Sequence, residues 1–187
     1  MERIDGEDID SFLLQMEAIF NQEPERDKDD GEWRKICGFR IWTPAVFSPA
    51  DRESASEIFW SDYRPGIVFL TDRKTEGLTL QTLAETGMTD DTGGEDLIAS
   101  VKRRLDTVDD RIVYYDTGVT DGDVKIHWIE YKSFAGEERV YNLLFLFQID
   151  TKEVLGTFFC VFEEYEKWKP IAWEMIQSIR EELDEGI

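Results

Sequence analysis

Two segments near the C-terminal end of the chain most strongly limit the possible fold. Val140–Phe147 and Gly156–Phe162 carry apolar side chains on both alternating faces of each predicted strand. A strand of this kind has to be covered on both sides. The short turns between neighbouring strands make the sheet antiparallel. We therefore predict an α+β fold in which helices cover both faces of an antiparallel sheet, an α/β/α sandwich.

Three segments carry apolar residues at helical spacing and are predicted as helices: Ile9–Phe20, Gly94–Val108 and Trp168–Leu183. The first is followed by the charged stretch Asn21–Glu32, which is typical of a loop. We predict two parts, an N-terminal helix with an acidic connector over residues 1–37 and a single sandwich domain over residues 38–187. The first part is then a helical appendage of the domain.

The remaining elements are predicted from alternation and turn residues. Leu78–Met88 is ambiguous and fits a short helix, and Asp121-Gly122 is a hairpin signal. The predicted strands besides the two apolar ones are Phe39–Trp42, Glu57–Tyr63, Ile67–Leu70, Arg111–Val119 and Val124–Lys132.

The charge balance limits the partners. The chain of 187 residues has 21 basic and 42 acidic side chains, a formal net charge of −21, and its pI is about 4.3. Such a surface repels phosphate, which argues against nucleic acid and anionic membranes. The longest apolar run, Leu143–Phe147, is too short to span a bilayer, and the first residues do not have the pattern of a signal peptide. We expect a bacterial-type cytoplasmic protein with a protein partner, basic in charge.

Few residues are available for metal or redox chemistry. His127 is the single histidine, and Cys37 and Cys160 are the two cysteines. A Cys/His zinc site needs three or four such ligands, so none is predicted, and neither is a cofactor. The two cysteines are expected to be free, buried thiols, and His127 is expected to be structural.

Carboxylate clusters leave an enzymatic alternative open, a hydrolase or small-ligand binder with a carboxylate site. Glu163, Glu164 and Glu166 follow a predicted strand, where a solvated turn is the expected structure, because a glycosidase pair has to face across a cleft. The acids at 27, 29, 30 and 32 lack the spacing of a calcium loop. A further alternative is an acidic mimic of DNA that inhibits a basic enzyme.

Aromatic residues point to protein binding. Trp128 and Trp168 fit the core pattern, whereas Trp173 lies off the apolar stripe of its helix. Exposed tryptophan, tyrosine and arginine together are typical of interface anchors. The predicted partner-binding residues are therefore Trp60, Tyr63, Arg64 and Trp173.

The order of elements is similar to a known group of proteins. A helix, hairpins, a buried strand with Gly156-x-Phe158-x-Cys160, then Trp168 and a final helix with Ser178-Ile179 resemble the PsbP-like group over about Gly38–Leu183. That group includes the photosystem II protein PsbP, the yeast Ran release factor and bacterial chaperones for type VI secretion effectors. The resemblance implies a non-enzymatic module that binds another protein, as a chaperone, adaptor or immunity-type binder. It supplies no catalytic residues. A homodimer through an outer strand also stays open.

Overall fold

The computed structural model describes residues 30–59, 65–83, 93–120 and 122–182. The predicted N-terminal helix, Ile9–Phe20, lies outside these ranges. The helices are α1 (Arg52–Ile58), α2 (Gly93–Val108) and α3 (Tyr165–Gln177), with a 3₁₀ turn at Phe162–Glu164. The strands are β1 (Gly31–Ile36), β2 (Phe39–Pro44), β3 (Ser48–Pro49), β4 (Ile67–Leu70), β5 (Glu76–Thr82), β6 (Val113–Thr120), β7 (Ile126–Ala135), β8 (Glu138–Ile149), β9 (Lys152–Val161) and β10 (Arg180–Glu181).

The fold is mixed α+β, and antiparallel sheets dominate it, as the sequence predicts. Seven strands form the larger sheet in the order β3-β4-β5-β9-β8-β7-β6, and β1, β2 and β10 form the smaller one in the order β1-β2-β10. The last four strands of the larger sheet are consecutive hairpins, because each turn between them is short. The predicted helix Gly94–Val108 is confirmed and begins at Gly93.

Strand β8 is buried on both faces, which confirms the prediction from its apolar pattern. Leu143, Leu144, Phe145, Leu146 and Phe147 are each at most 4% exposed. Successive side chains of a strand point to opposite faces, so these residues enter two different clusters. Leu143 and Phe145 pack in the larger cluster, which includes the buried residues of α3, whereas Leu144 and Leu146 pack in a smaller one with Ile98 of α2.

Two predicted elements are wrong in type. The predicted strand Glu57–Tyr63 begins inside α1, whose N-terminus is capped by Asp51: the Oδ1 atom accepts a hydrogen bond from the Ser54 amide at 2.8 Å. The predicted short helix Leu78–Met88 begins inside β5, which pairs with β9 along its whole length. Pairing with a buried neighbour outweighs the weak local preference of this segment.

The smaller sheet extends beyond the predicted elements. Strand β1 falls in the predicted connector, yet it pairs with β2 from end to end. The final helix ends at Gln177, before the predicted end at Leu183. Ile179 lies beyond the helix and is buried, and β10 then pairs with β2 on the side opposite β1. The hydroxyl of Ser178 accepts a hydrogen bond from the Trp42 amide at 2.8 Å and joins the end of α3 to β2.

Candidate functional site

Strand β6 forms one edge of the seven-stranded sheet. Within the described ranges its strand partner is β7, and its other side is open. Three of its apolar side chains are exposed: Val113 by 42%, Tyr115 by 48% and Val119 by 40%. An edge strand presents unpaired backbone amides and carbonyls, to which another extended chain can bind.

One outward-facing amide of β6 is already occupied. The pairing with β7 shifts between Tyr114 and Asp116, which is a β-bulge at Tyr115. Directly after it, the Asp116 carboxylate accepts a hydrogen bond from the Thr117 amide at 2.8 Å. From this bond we infer that the Thr117 amide faces away from β7 and, since alternate amides of a strand face the same side, that the Val119 amide does so too. The open part of the edge is therefore the uncharged segment 117–120.

A groove of about 660 Å³ lies between β6 and α2. Its volume is in the range of ligand and peptide side-chain pockets. The buried His127 and Ile129 of β7 contribute to its lining. The other lining residues come from α2 and β6: Ile98, Ala99, Lys102, Tyr114, Tyr115, Asp116, Thr117, Gly118 and Val119.

The wall of the groove is held by contacts around Tyr114. Its single hydroxyl proton is shared between two acceptors, the Asp106 carboxylate at 2.8 Å and the Lys102 carbonyl at 3.2 Å. The Lys102 ammonium lies 4.4 Å from the centre of the Tyr114 ring. Burial and the neighbouring Asp106 raise the pKa of Tyr114, so its hydroxyl stays protonated at neutral pH. These contacts fix α2 beside the edge strand before any partner arrives.

The two buried carboxylates of the sheet are Glu76 and Glu130, and neither lines this groove. Glu130 is 3% exposed and forms an ion pair with Lys169 at 2.8 Å. Glu76 is 1% exposed and accepts hydrogen bonds from the Thr71 hydroxyl at 2.6 Å and the Thr75 hydroxyl at 2.9 Å. Both acids are paired inside the protein, as buried charges usually are.

The cysteines offer little nucleophilic chemistry. Both are free, as predicted, but only Cys160 is buried and Cys37 is exposed. Burial raises the pKa of the Cys160 thiol to about 12, so the reactive thiolate is scarce at neutral pH. Within the described ranges no three histidine, cysteine or carboxylate side chains gather as metal ligands would.

Of the glutamates after β9, Glu163 and Glu164 lie in the 3₁₀ turn, as predicted, whereas Glu166 lies in the first turn of α3. Glu163 is exposed and forms an ion pair with Arg139, whose hydrogen bond lowers the pKa of the carboxyl. Glu164 forms an ion pair with Arg73 at 3.1 Å and accepts from the Trp168 indole at 3.3 Å. These acids are bound to neighbouring side chains and do not face each other across a cleft.

Of the predicted partner-binding residues, Trp60, Tyr63 and Arg64 lie outside the described ranges, so their role stays a prediction. Trp173 is half-buried: its ring meets that of Trp128 edge to face at 4.8 Å, and its indole nitrogen donates to Glu130 at 3.2 Å. The structure gives Trp173 an internal packing role, and its partner-binding role stays a prediction. Val108, the last apolar residue of the predicted helix Gly94–Val108, is 82% exposed.

The open edge of β6 was not identified from the sequence. The strand itself is predicted almost correctly, as Arg111–Val119. Its place at the end of the sheet follows from the strand order, which local patterns do not contain. The signal that the sequence offers is the acid at 116, since charge is common on edge strands. The exposure of Val113 and Val119, and the bulge, become visible only in the structure.

The whole fold has solved counterparts. The solution structure of cyanobacterial PsbP (CyanoP) from Synechocystis superimposes with a TM-score of 0.64 at 11% identity, over 88% of this chain and 99% of that one. The yeast Ran-binding protein Mog1p matches with a TM-score of 0.52 at 8% identity, over 80% and 94% of the two chains. A crystal structure from Bacteroides thetaiotaomicron matches with a TM-score of 0.53 at 12% identity, over 84% and 50%.

This chain has the fold of the PsbP and Mog1p group. The resemblance stated from the sequence is thereby confirmed, and at these identities the likeness shows the fold alone. A comparison with protein-family models finds no match, and a comparison with curated proteins finds none either. No helix within the described ranges is long and apolar enough to cross a bilayer.

Proposed function

We propose that this protein is a non-enzymatic interaction module that binds an extended segment of a partner protein at the open edge of β6. The observation that supports this most is the uncharged segment 117–120, with the outward Val119 amide and no strand beside it in the described ranges. An added strand would gain backbone hydrogen bonds there, and its alternate side chains would reach the groove between β6 and α2.

The partner we propose is basic. The net charge of −21 accelerates encounter with a positively charged protein and disfavours acidic ones. Asp116, exposed beside the open segment, is a natural contact for a lysine or arginine of the added strand. The affinity should then fall as salt rises, because the Debye length shortens from about 30 Å at 0.01 M to about 8 Å at 0.15 M.

The architecture and the related folds support the same function. α3 packs in the larger cluster and Ile98 of α2 in the smaller one, which supports an α/β/α sandwich. The N-terminal helical appendage stays part of the proposal. Mog1p is described as a Ran-binding protein. Within this proposal the chain acts in the cytoplasm as a chaperone, adaptor or immunity-type binder. The hydrolase alternative gains no support, because both buried glutamates are paired away from the groove.

The experiment compares two substitutions at one position. Val119→Pro removes the outward amide, which the ladder to β7 does not use, and edge strands tolerate proline. Val119→Thr keeps the amide and nearly the same shape, and serves as the control. Wild-type and variant proteins are used to capture partners by cross-linking in native cells, and the binding of the partner identified by mass spectrometry is then measured by calorimetry at low and high salt.

We expect Val119→Thr to bind like the wild type and Val119→Pro to bind at least about tenfold more weakly, a loss of about 1.4 kcal/mol. Both variants should unfold near the wild-type temperature. Equal binding by Val119→Pro would place the interface elsewhere. Failure to recover any protein partner at low salt would contradict the function itself.

A further inference from the structure

The outer face of the three-stranded sheet carries three cations in one row. Arg40 of β2 lies directly opposite Lys35 of β1 on one side and opposite Arg180 of β10 on the other. Residues opposite each other share a face and lie about 5 Å apart at Cβ, and like charges placed so are destabilising. In a chain with twice as many acids as bases, such a row costs stability without an evident structural benefit.

The two outer cations of the row are neutralised by the protein's own acids. Lys35 forms an ion pair with Glu182. Arg180 forms one with Asp123 at 2.6 Å and also donates to the carbonyl of Gln177 at 2.6 Å. Their donors are therefore committed, and their charge is partly cancelled.

Arg40 differs from both neighbours. It is exposed, and within the described ranges its guanidinium has no carboxylate partner and no hydrogen bond. Its carbon Cζ lies 5.1 Å from the centre of the Trp33 ring, over an indole that is itself 53% exposed. Stacking on a ring fixes the planar guanidinium and leaves its edge donors free for a bidentate bond.

We infer that Arg40 and Trp33 form a second binding surface, which takes a carboxylate side chain from an acidic segment of a partner protein. The carboxylate accepts a bidentate hydrogen bond from Arg40, and an apolar neighbour of the acid covers Trp33. Local charge complementarity selects this occupant, because the guanidinium of Arg40 is exposed and no carboxylate of the described residues pairs with it, although the net charge of the whole chain is negative. The surface is on the smaller sheet, whereas the proposed site for an extended strand is on the larger one.

The test uses three synthetic peptides that differ in one feature. In the first, glutamate alternates with leucine; in the second, glutamine replaces glutamate; in the third, phosphoserine replaces it. Binding to the full chain is measured by calorimetry at 0.15 M salt, where distant acids are screened beyond about 8 Å. The variants are Arg40→Gln, Arg40→Lys, Trp33→Leu and, as a charge-matched control, Arg104→Gln on the exposed side of α2.

We expect the glutamate peptide to bind and the glutamine peptide not to. Arg40→Gln should weaken binding at least about tenfold, and Arg40→Lys should recover only part of the loss, since an ammonium cannot form the planar fork. Trp33→Leu should weaken it as well, whereas Arg104→Gln and Val119→Pro should leave it unchanged. That last result separates this surface from the β6 edge.

Three outcomes would overturn the inference. One is equal binding by Arg40→Gln and the wild type. Another is a clear preference for the phosphoserine peptide, which would assign the surface to a phosphorylated partner. The third is self-association of the unliganded protein, seen by sedimentation and abolished by Arg40→Gln, which would assign the surface to a second copy of the chain.

Discussion

Strands β3 and β6 lie at the two ends of the same sheet, and their free sides are protected differently. β3 has two residues, Ser48 and Pro49, and proline has no amide to offer. The next amide, that of Ala50, donates to the Val68 carbonyl at 2.8 Å before α1 begins. This edge is short, one of its two residues lacks an amide, and the next amide is already bonded.

β6 has eight residues, and among the described residues the contact that occupies one of its amides is that of Asp116, which accepts from the Thr117 amide. Natural sheets usually blunt their edges by short strands, proline, bulges or charge. β3 uses the first two and β6 the last two. At the β3 end, the short strand and its proline limit the pairing of another strand permanently. At the β6 end, the side-chain contact that limits such pairing can be displaced.

The largest predicted effect is the loss of stability when alanine replaces either of two glycines, one in the interior of the sheet and one at its β6 edge. A Cβ on Gly77 of β5 would lie 2.8 Å from Leu70 and nearer still to the Phe159 ring, while one on Gly118 of β6 would lie 2.8 Å from the Trp128 ring. We expect Gly77→Ala to lower the free energy of unfolding by about 3 kcal/mol, because the buried Leu70 and the Phe159 ring would both have to shift, and Gly118→Ala by about 1 kcal/mol, because the Trp128 ring alone would have to shift.

Urea unfolding with equal m-values measures both losses. Equal losses for the two alanine variants would show that the β6 edge is packed as rigidly as the interior of the sheet, and would remove the basis for treating it as adaptable.

A smaller effect is expected at the Asp116 contact. Asp116→Ala frees the Thr117 amide, so its hydrogen exchange should speed up by about two- to tenfold, the range of one net hydrogen bond. Asp116→Asn keeps an acceptor oxygen and should stay near the wild-type rate. The Ala50 amide at the β3 edge serves as the internal reference. NMR measures the exchange of both amides in the wild type and in the two variants. An unchanged rate in Asp116→Ala would mean that another group protects this amide.

The smallest effect concerns the capping of α1 beside the β3 edge. The Ser54 amide lowers the pKa of Asp51, so the cap contributes stability above an ordinary carboxyl pKa of about 3.9 and loses it as pH falls below that value. Asp51→Ala should lower the melting temperature by at most about 4 °C at pH 7 and by less near pH 3. Thermal unfolding at the two pH values tests this, and a difference that grows at low pH would contradict it.

The sequence predicts the parts of this fold whose signal is local. The apolar run of β8 predicts burial on both faces, because successive side chains lie on opposite faces of the strand and both faces are therefore apolar. The segment Leu78–Met88 is ambiguous in the sequence and fits a short helix, because the strand character of β5 depends on β9, which is distant in sequence. α1 was missed because a short helix has few periodic positions, and Asp51 was its main signal.

The candidate sites also depend on contacts between residues that are distant in sequence, and such contacts leave no local signal. The exposure of Trp33 and its contact with Arg40 arise only when β1 pairs with β2, and β1 had been assigned to a charged connector. Likewise, the edge position of β6 requires the complete strand order. The interface role of the four residues predicted from the sequence stays a prediction, and Trp33 and Arg40 add a pair that only the strand pairing brings together.

The position of β5 beside β9 also affects the order in which the protein can fold during its synthesis. The β4–β5 hairpin leaves the ribosome long before Phe158, the residue that faces Leu78 in the finished sheet. Until β9 is synthesised, one flank of β5 has apolar groups and unpaired amides without their native neighbour. Contacts this distant form late, and the waiting hairpin is prone to wrong pairing.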